Sequence, residues 1–374
     1  MSQEVTLNDT PITPGRPRRG WWQRLSVIGA KVPLVEKMAF TRHLALMIRA
    51  GFSLPQALLV LLAQVKSLYF KDVIEQLSEA LSHGQLFSEA LAKFPKVFPE
   101  IYINMVRVGE ASGNLEEVLN LLAEQLRKEH ELKSRVQGAF MYPMVILIAM
   151  AGVGIFMLIF IIPKLTGTLK DLGVPLPLMT QVIINTSDWV ANNVFLFLGI
   201  IVAVTWALVH WVKRPSGHRT LSWLLLHFPI AQKLTKQINA ARLSRTLGSL
   251  LSSGVPLIEA FEITARTITN PYYQAALRAV AERIPKGEKL EPNLARFPKL
   301  FPPLITQMVG VGEEAGVLTD ILTHLANFYE EEVDTATKNL GSLLEPILLI
   351  MIGTAVGFFV VSMLMPMFAV YQGF

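Results

Sequence analysis

The chain has 374 residues, 52% of them hydrophobic, with 34 lysines and arginines against 29 aspartates and glutamates and no cysteine. The missing cysteine excludes disulfides, thiolate metal sites and cysteine nucleophiles, and the apolar share exceeds the roughly 45–50% of soluble domains. The pI near 9.3 reads as a membrane-topology signal before a nucleic-acid one, because acidic residues are plentiful in the polar segments.

Residues 1–37 read as a flexible basic tail, polar and proline-rich, without the apolar stretch of a secretory signal. Within it Pro14–Arg24, PGRPRRGWWQR, joins basic residues to two tryptophans. A flexible tail is the plain reading. Anionic lipid headgroups also suit it, at roughly 1 kcal/mol per basic residue near the surface, and interleaved aromatic and basic residues are a pattern of single-strand binders. No nucleic-acid partner is expected for the chain as a whole.

Residues 38–142 read as a first helical domain. Leu115, Val118, Leu119, Leu122 and Leu126 draw an apolar stripe at helical spacing. Gly51, Gly84, Pro95, Pro99 and Gly113 break the pattern, which predicts a compact bundle of several short helices. In Phe94–Pro99, FPKVFP, the prolines force an extended turn and the phenylalanines can anchor it. Gly109-Glu110-x-x-Gly113-x-Leu115 is the sharpest local signal. As a helix–helix corner it would use Gly113 in the left-handed conformation and Asn114 with Glu117 as the cap of the next helix. Glu110 would then receive backbone N–H bonds. Direct contact with a partner is the other reading of these residues.

Three runs are long enough to cross a bilayer, which needs about 20 apolar residues as helix. Residues 143–163 hold the first, whose Met144–Ile162 carries no charge. Tyr142-Pro143 reads as its start, since proline suits a first helical turn. Residues 164–193 read as a loop on the outer side of the membrane and 194–212 as the second span, closed by Lys213 and Arg214. Residues 213–344 read as a second helical domain, with the corner motif again at Gly312, Glu313 and Gly316. Residues 345–370 form the third span and 371–374 a short tail on the outer side. Glu345-Pro346 reads as a helix start, with Glu345 favoured by the helix dipole or, alternatively, a contact at the membrane rim. Gly353 and Gly357 make a GxxxG step that permits close helix packing.

Slid against itself, the chain matches at an offset of 203 residues. Phe40–Pro163 aligns with Leu243–Pro366 without a gap, with 32 identities in 124 pairs. The second span has no counterpart, because two parallel units need one return crossing. Arg127, Lys128, Lys133 and Arg135 precede span one, and Lys213, Arg214 and Arg219 follow span two. The intervening loop has only Lys164 and Lys170. This bias places both domains in the cytoplasm and the C-terminus outside. The fold class expected is therefore all-α: two homologous cytoplasmic helical bundles with three transmembrane helices.

No Walker A, His-Glu-x-x-His or Gly-x-Ser-x-Gly pattern occurs, and apart from Glu345 at the first position of the third span and His210 near the end of the second, no acidic or basic residue lies within the spans. An intramembrane charge commonly marks a transport path, so its absence weighs against the rival reading, a small transporter or channel. No catalytic residue, cofactor or metal is assigned.

The sequence resembles the inner-membrane platform proteins of type IV pilus and type II secretion machines. The resemblance rests on Gly51 with Leu54 and Ala57, FPKVFP, Gly109-Glu110-x-x-Gly113-x-Leu115, Tyr142-Pro143, their second copies, and Leu343-Leu344-Glu345-Pro346. It covers about residues 38–370; the tail departs from it. It implies six helices per bundle and a multi-pass protein of the bacterial inner membrane, with a cytoplasmic N-terminus and periplasmic C-terminus. It implies no catalysis by this chain itself. The partners it implies are a cytoplasmic hexameric ATPase, pilins or pseudopilins, other inner-membrane assembly components, the lipid bilayer and further copies of the chain as a homo-oligomer.

Overall fold

A computed structural model describes residues 32–164 and 178–372. The Pro14–Arg24 segment, Lys170 and Phe374 lie outside the described residues, as does most of the expected tail.

The first unit opens with α1 (Leu34–Arg49), α2 (Leu54–Leu62), α3 (Leu68–Ser82), α4 (Phe87–Ala92), α5 (Glu100–Ser112) and α6 (Leu115–Phe156). A π-helical turn, Met157–Ile161, extends α6 toward Lys164. Then come α7 (Leu178–Asn192), α8 (Val194–Lys213) and α9 (Pro215–His227). The second unit is α10 (Pro229–Ser252), α11 (Leu257–Thr267), α12 (Pro271–Ala281), α13 (Leu290–Ala295), α14 (Pro303–Ala315) and α15 (Leu318–Gln372). The fold is all-α, with no strand among the described residues and six α-helices per unit. Three helices are long and apolar enough to cross a membrane: Leu115–Lys164, Val194–Lys213 and Leu318–Val361.

Local sequence sets the breaks. Ser53 opens α2 with Gln56 in a capping box and Pro55 in the first turn. Ser67 accepts from Phe70 N at 3.3 Å to open α3. Positive φ occurs at Gly51, Gly84 and Gly113 and at their repeat partners Gly254, Gly287 and Gly316. The duplication is thus backbone-deep. Phe98 of FPKVFP is fully buried against Phe40, Phe70 and Tyr102, with ring centroids 5.0–6.3 Å apart. Phe301, its counterpart, is buried against Tyr273 at 5.5 Å. One continuous apolar core runs through both units.

Three expectations change. Pro143 and Pro346 do not start helices. α6 and α15 run unbroken through them, from the bundles into the apolar spans. The apolar stripe of each bundle and the lipid-facing run that follows keep one helix continuous, and the proline costs only one N–H and crowds the carbonyl four residues back. Glu345 is therefore an exposed mid-helix residue with no helix N-terminus beside it. The segment read as a loop contains α7, whose Ile184, Ser187 and Val190 are buried. Ser187 Oγ donates to the Leu158 carbonyl inside the π turn, where the backbone ladder is irregular.

Candidate functional site

Each corner motif is a packing device. In Gly109 a Cβ would stand 2.8 Å from Val118 Cγ2, so α5 and α6 approach too closely for any larger residue. Gly312 plays the same part against Leu318 Cα and Ile321 Cγ1, both at 3.1 Å. Gly113 and Gly316 end their helices at φ 72° and 71°, where a side chain costs about 1 kcal/mol or more. Glu110 reaches back to the start of α4: its carboxylate accepts from Phe87 N at 2.6 Å, Ser88 N at 3.1 Å and Ser88 Oγ at 2.7 Å. Glu313 accepts from Leu290 N at 2.8 Å at the start of α13. These bonds satisfy helix-end donors that have no partner within their own helix.

Asn114 precedes α6, yet its side chain makes no cap to the backbone; its amide donates to the Glu117 carboxylate instead. The expected capping box is absent because Asn114 sits at φ −108°, ψ 42°, away from the extended backbone usual for a cap. The two corners belong to different bundles, and Glu345 lies along α15 beyond the second. Gly353 and Gly357 face open space, with nothing within 4 Å of an added Cβ. The expected close packing at this step has no partner within the described chain.

The reading of the sequence missed the junction where the bundles meet above the spans. Glu330 of α15 is buried and bridges two cations: Arg245 of α10 at 2.8 Å and Lys128 of α6 at 2.9 Å. Burial pushes its carboxyl up, but the hydrogen bonds from Arg245 and Lys128 outweigh that and hold it below its ordinary value. Arg135 meets Asp334 at 3.6 Å, Ser249 Oγ donates to Gln125 Oε1 at 2.9 Å, and Arg266 pairs with Glu100 at 2.8 Å. Leu132, Leu234 and Val333 form a small apolar cluster beside these pairs. A cavity of about 100 Å³ opens between the units, with Lys128, Arg242, Arg245 and Thr246 in its wall.

A signal for this junction was present. In the repeat alignment Arg127 is matched by Glu330, and a basic stretch before span one faces the acidic Glu330–Asp334 stretch before span three. Lys128 and Arg135, counted toward topology, are engaged in this pairing. Among the described residues no group of three or more His, Asp or Glu side chains is placed to hold a metal ion. The arrangement joins two bundles by apolar contact and ion pairs, and one helix prolongs each bundle into a long apolar segment.

Comparison with known proteins gives one consistent picture. The family model described as type II secretion system (T2SS), protein F, matches residues 40–163 and again 243–366. The type IV pilus assembly protein PilC of Thermus thermophilus is 38% identical over 331 residues, 88% of this chain and 81% of that protein. The protein of the same name from Pseudomonas aeruginosa is 31% identical over 98% of both chains. The type II secretion system protein F of Aeromonas hydrophila is 28% identical over 88% of this chain and 85% of its own length.

Proposed function

We propose, from the premise that this chain belongs to the type II secretion system protein F family, that it is a non-enzymatic inner-membrane platform which passes motion from a cytoplasmic assembly ATPase to pilin or pseudopilin subunits in the bilayer. The observation that carries this is the continuity of α6 and α15. Each leaves its bundle and enters an apolar span without a hinge loop, so a push or rotation on the bundle reaches the membrane through an intact helix. The junction at Glu330 makes the two bundles turn together rather than slide.

Both bundles lie on the cytoplasmic side in this reading, with α7 and the C-terminus on the periplasmic side. Glu110 and Glu313 serve the corners, and the ATPase meets other surfaces. Identity of 31–38% to the type IV pilus assembly proteins against 28–30% to the type II secretion proteins favours the pilus branch by a narrow margin. Deleting the gene should abolish pili while pilin stays in the membrane, and the wild-type chain should restore them. Normal pili in the deletion strain would overturn the proposal, and loss of a secreted substrate with pili intact would move the chain to the secretion branch.

A further inference from the structure

The two bundles are copies of one unit, yet they meet through different faces. The second unit contributes the end of α10, the following turn and α11. There Ser249 bonds Gln125, a Cβ on Gly254 would lie 3.4 Å from Val108 Cγ1, and Arg266 pairs with Glu100. The first unit contributes α5 and the start of α6. The contact is head-to-tail, and such a contact leaves one face of each kind uncovered.

The 203-residue offset shows which faces these are. On the first unit, Phe52 and Val60 are 47% and 44% exposed, where their counterparts Val255 and Ile263 are 3% and 0% exposed. On the second unit, Leu304 is 39% exposed, where its counterpart Ile101 is 5% exposed. The chemistry changes in step. The hydrogen-bonded pair Ser249 and Gln125 maps onto Leu46 and Phe328, and the ion pair Arg266 and Glu100 onto Ala63 and Pro303. Val108 and Gly254 map onto Val311 and Gly51. Both members of each polar contact turn apolar together, although they belong to different units. Leu46, Val311 and Phe328 are all exposed in the single chain.

We propose that a second copy of this chain covers these faces: Leu46, Phe52 and Val60 of one copy seat on Leu304, Val311 and Phe328 of the next, repeating the contact between the units. Lys128 meets Glu330 and Arg135 meets Asp334, so α6 and α15 run side by side in one direction. Moving one unit onto the other therefore keeps both long helices upright. Repeated between copies, the same contact keeps every span in one bilayer and builds the assembly in the membrane plane.

The chain has no cysteine, so introduced thiols report alone. Two full-length variants, Leu46→Cys and Phe328→Cys, carrying different tags, are expressed together in native membranes and mildly oxidised. A disulfide between the tags is expected, with each variant alone giving at most trace dimer. The Leu46→Cys/Phe328→Cys chain should give dimers and higher species, and a Glu75→Cys/Phe328→Cys control should not. A yield no greater than the control's, self-linking by the single variants, or linkage to a different protein in place of a second copy would each overturn the proposal. In detergent, Leu46→Lys and Phe328→Glu should each shift the chain to smaller species by native mass, and mixing the two should restore the larger ones. Failure of that restoration also counts against it. Neither readout depends on pilus assembly, so this inference and the proposed function fail separately.

Discussion

At the scale of single residues, Gly109, Glu110 and Gly113 of the corner motif do three different jobs, and substitutions should separate them. Gly113→Ala meets no neighbour but must hold φ 72°, a loss of about 1 kcal/mol or more. Gly109→Ala keeps ordinary helical backbone but drives its Cβ into Val118, 2.8 Å away, a loss of about 1–3 kcal/mol. Thermal melts of the full chain should show Val118→Ala rescuing Gly109→Ala and leaving Gly113→Ala unrescued; equal rescue of both would refute the distinction. Glu110→Ala strands two backbone donors at the start of α4, whereas Glu313→Ala strands one at the start of α13. At about 1–3 kcal/mol for a buried group left without a partner, the first should cost more than the second.

At the scale of elements, the corner was legible because glycine and an acid at fixed spacing leave few alternatives. The starts of the spans were not. Proline fits both a first helical turn and the interior of a membrane helix whose neighbours tolerate a missing bond, and nothing local to Tyr142-Pro143 separates the two. α7 was missed for a related reason: Leu178–Asn192 is short, and its burial comes from packing on the π turn, a tertiary fact. The continuity of α15 leads to its own prediction. Pro346 lies exposed in mid-helix, so Pro346→Ala restores one N–H and removes a ring clash. Up to about 3 kcal/mol separates the two residues in a helix interior. Amide exchange across Gly341–Met351 in detergent micelles should slow, and unchanged exchange would mean that the surrounding helix already absorbs the proline without strain.

At the scale of the whole molecule, the repeat announced two units but could not say which faces meet, because a duplicated unit carries both faces in both copies. What breaks the symmetry is divergence: Glu330 where the first unit has Arg127, Gln125 where the second has Phe328. Glu330 should therefore carry a distinctive pH signature. Its folded carboxyl sits below its ordinary 4.5 because Arg245 and Lys128 hydrogen-bond its charged form. The unfolded chain consequently binds this proton more readily than the folded one. The pairing contributes in full above about pH 4.5 and is lost as pH falls through the depressed folded value. Glu330→Gln removes the charge at every pH and leaves Arg245 and Lys128 facing a neutral amide. At pH 7 the variant should be less stable, by less than the roughly 3–5 kcal/mol of a fully buried broken pair, since 22% of the Lys128 side chain still meets solvent. Glu124 and Asp334, whose carboxyls are also held low by cationic neighbours, give both proteins a shared acid loss. The gap between wild type and variant is thus the quantity that isolates Glu330. Melts of the full chain from pH 7 to pH 3 should show that gap constant down to about 4.5 and closing below it. A gap that stays constant to pH 3 would mean that Glu330 does not tie the bundles together through its charge.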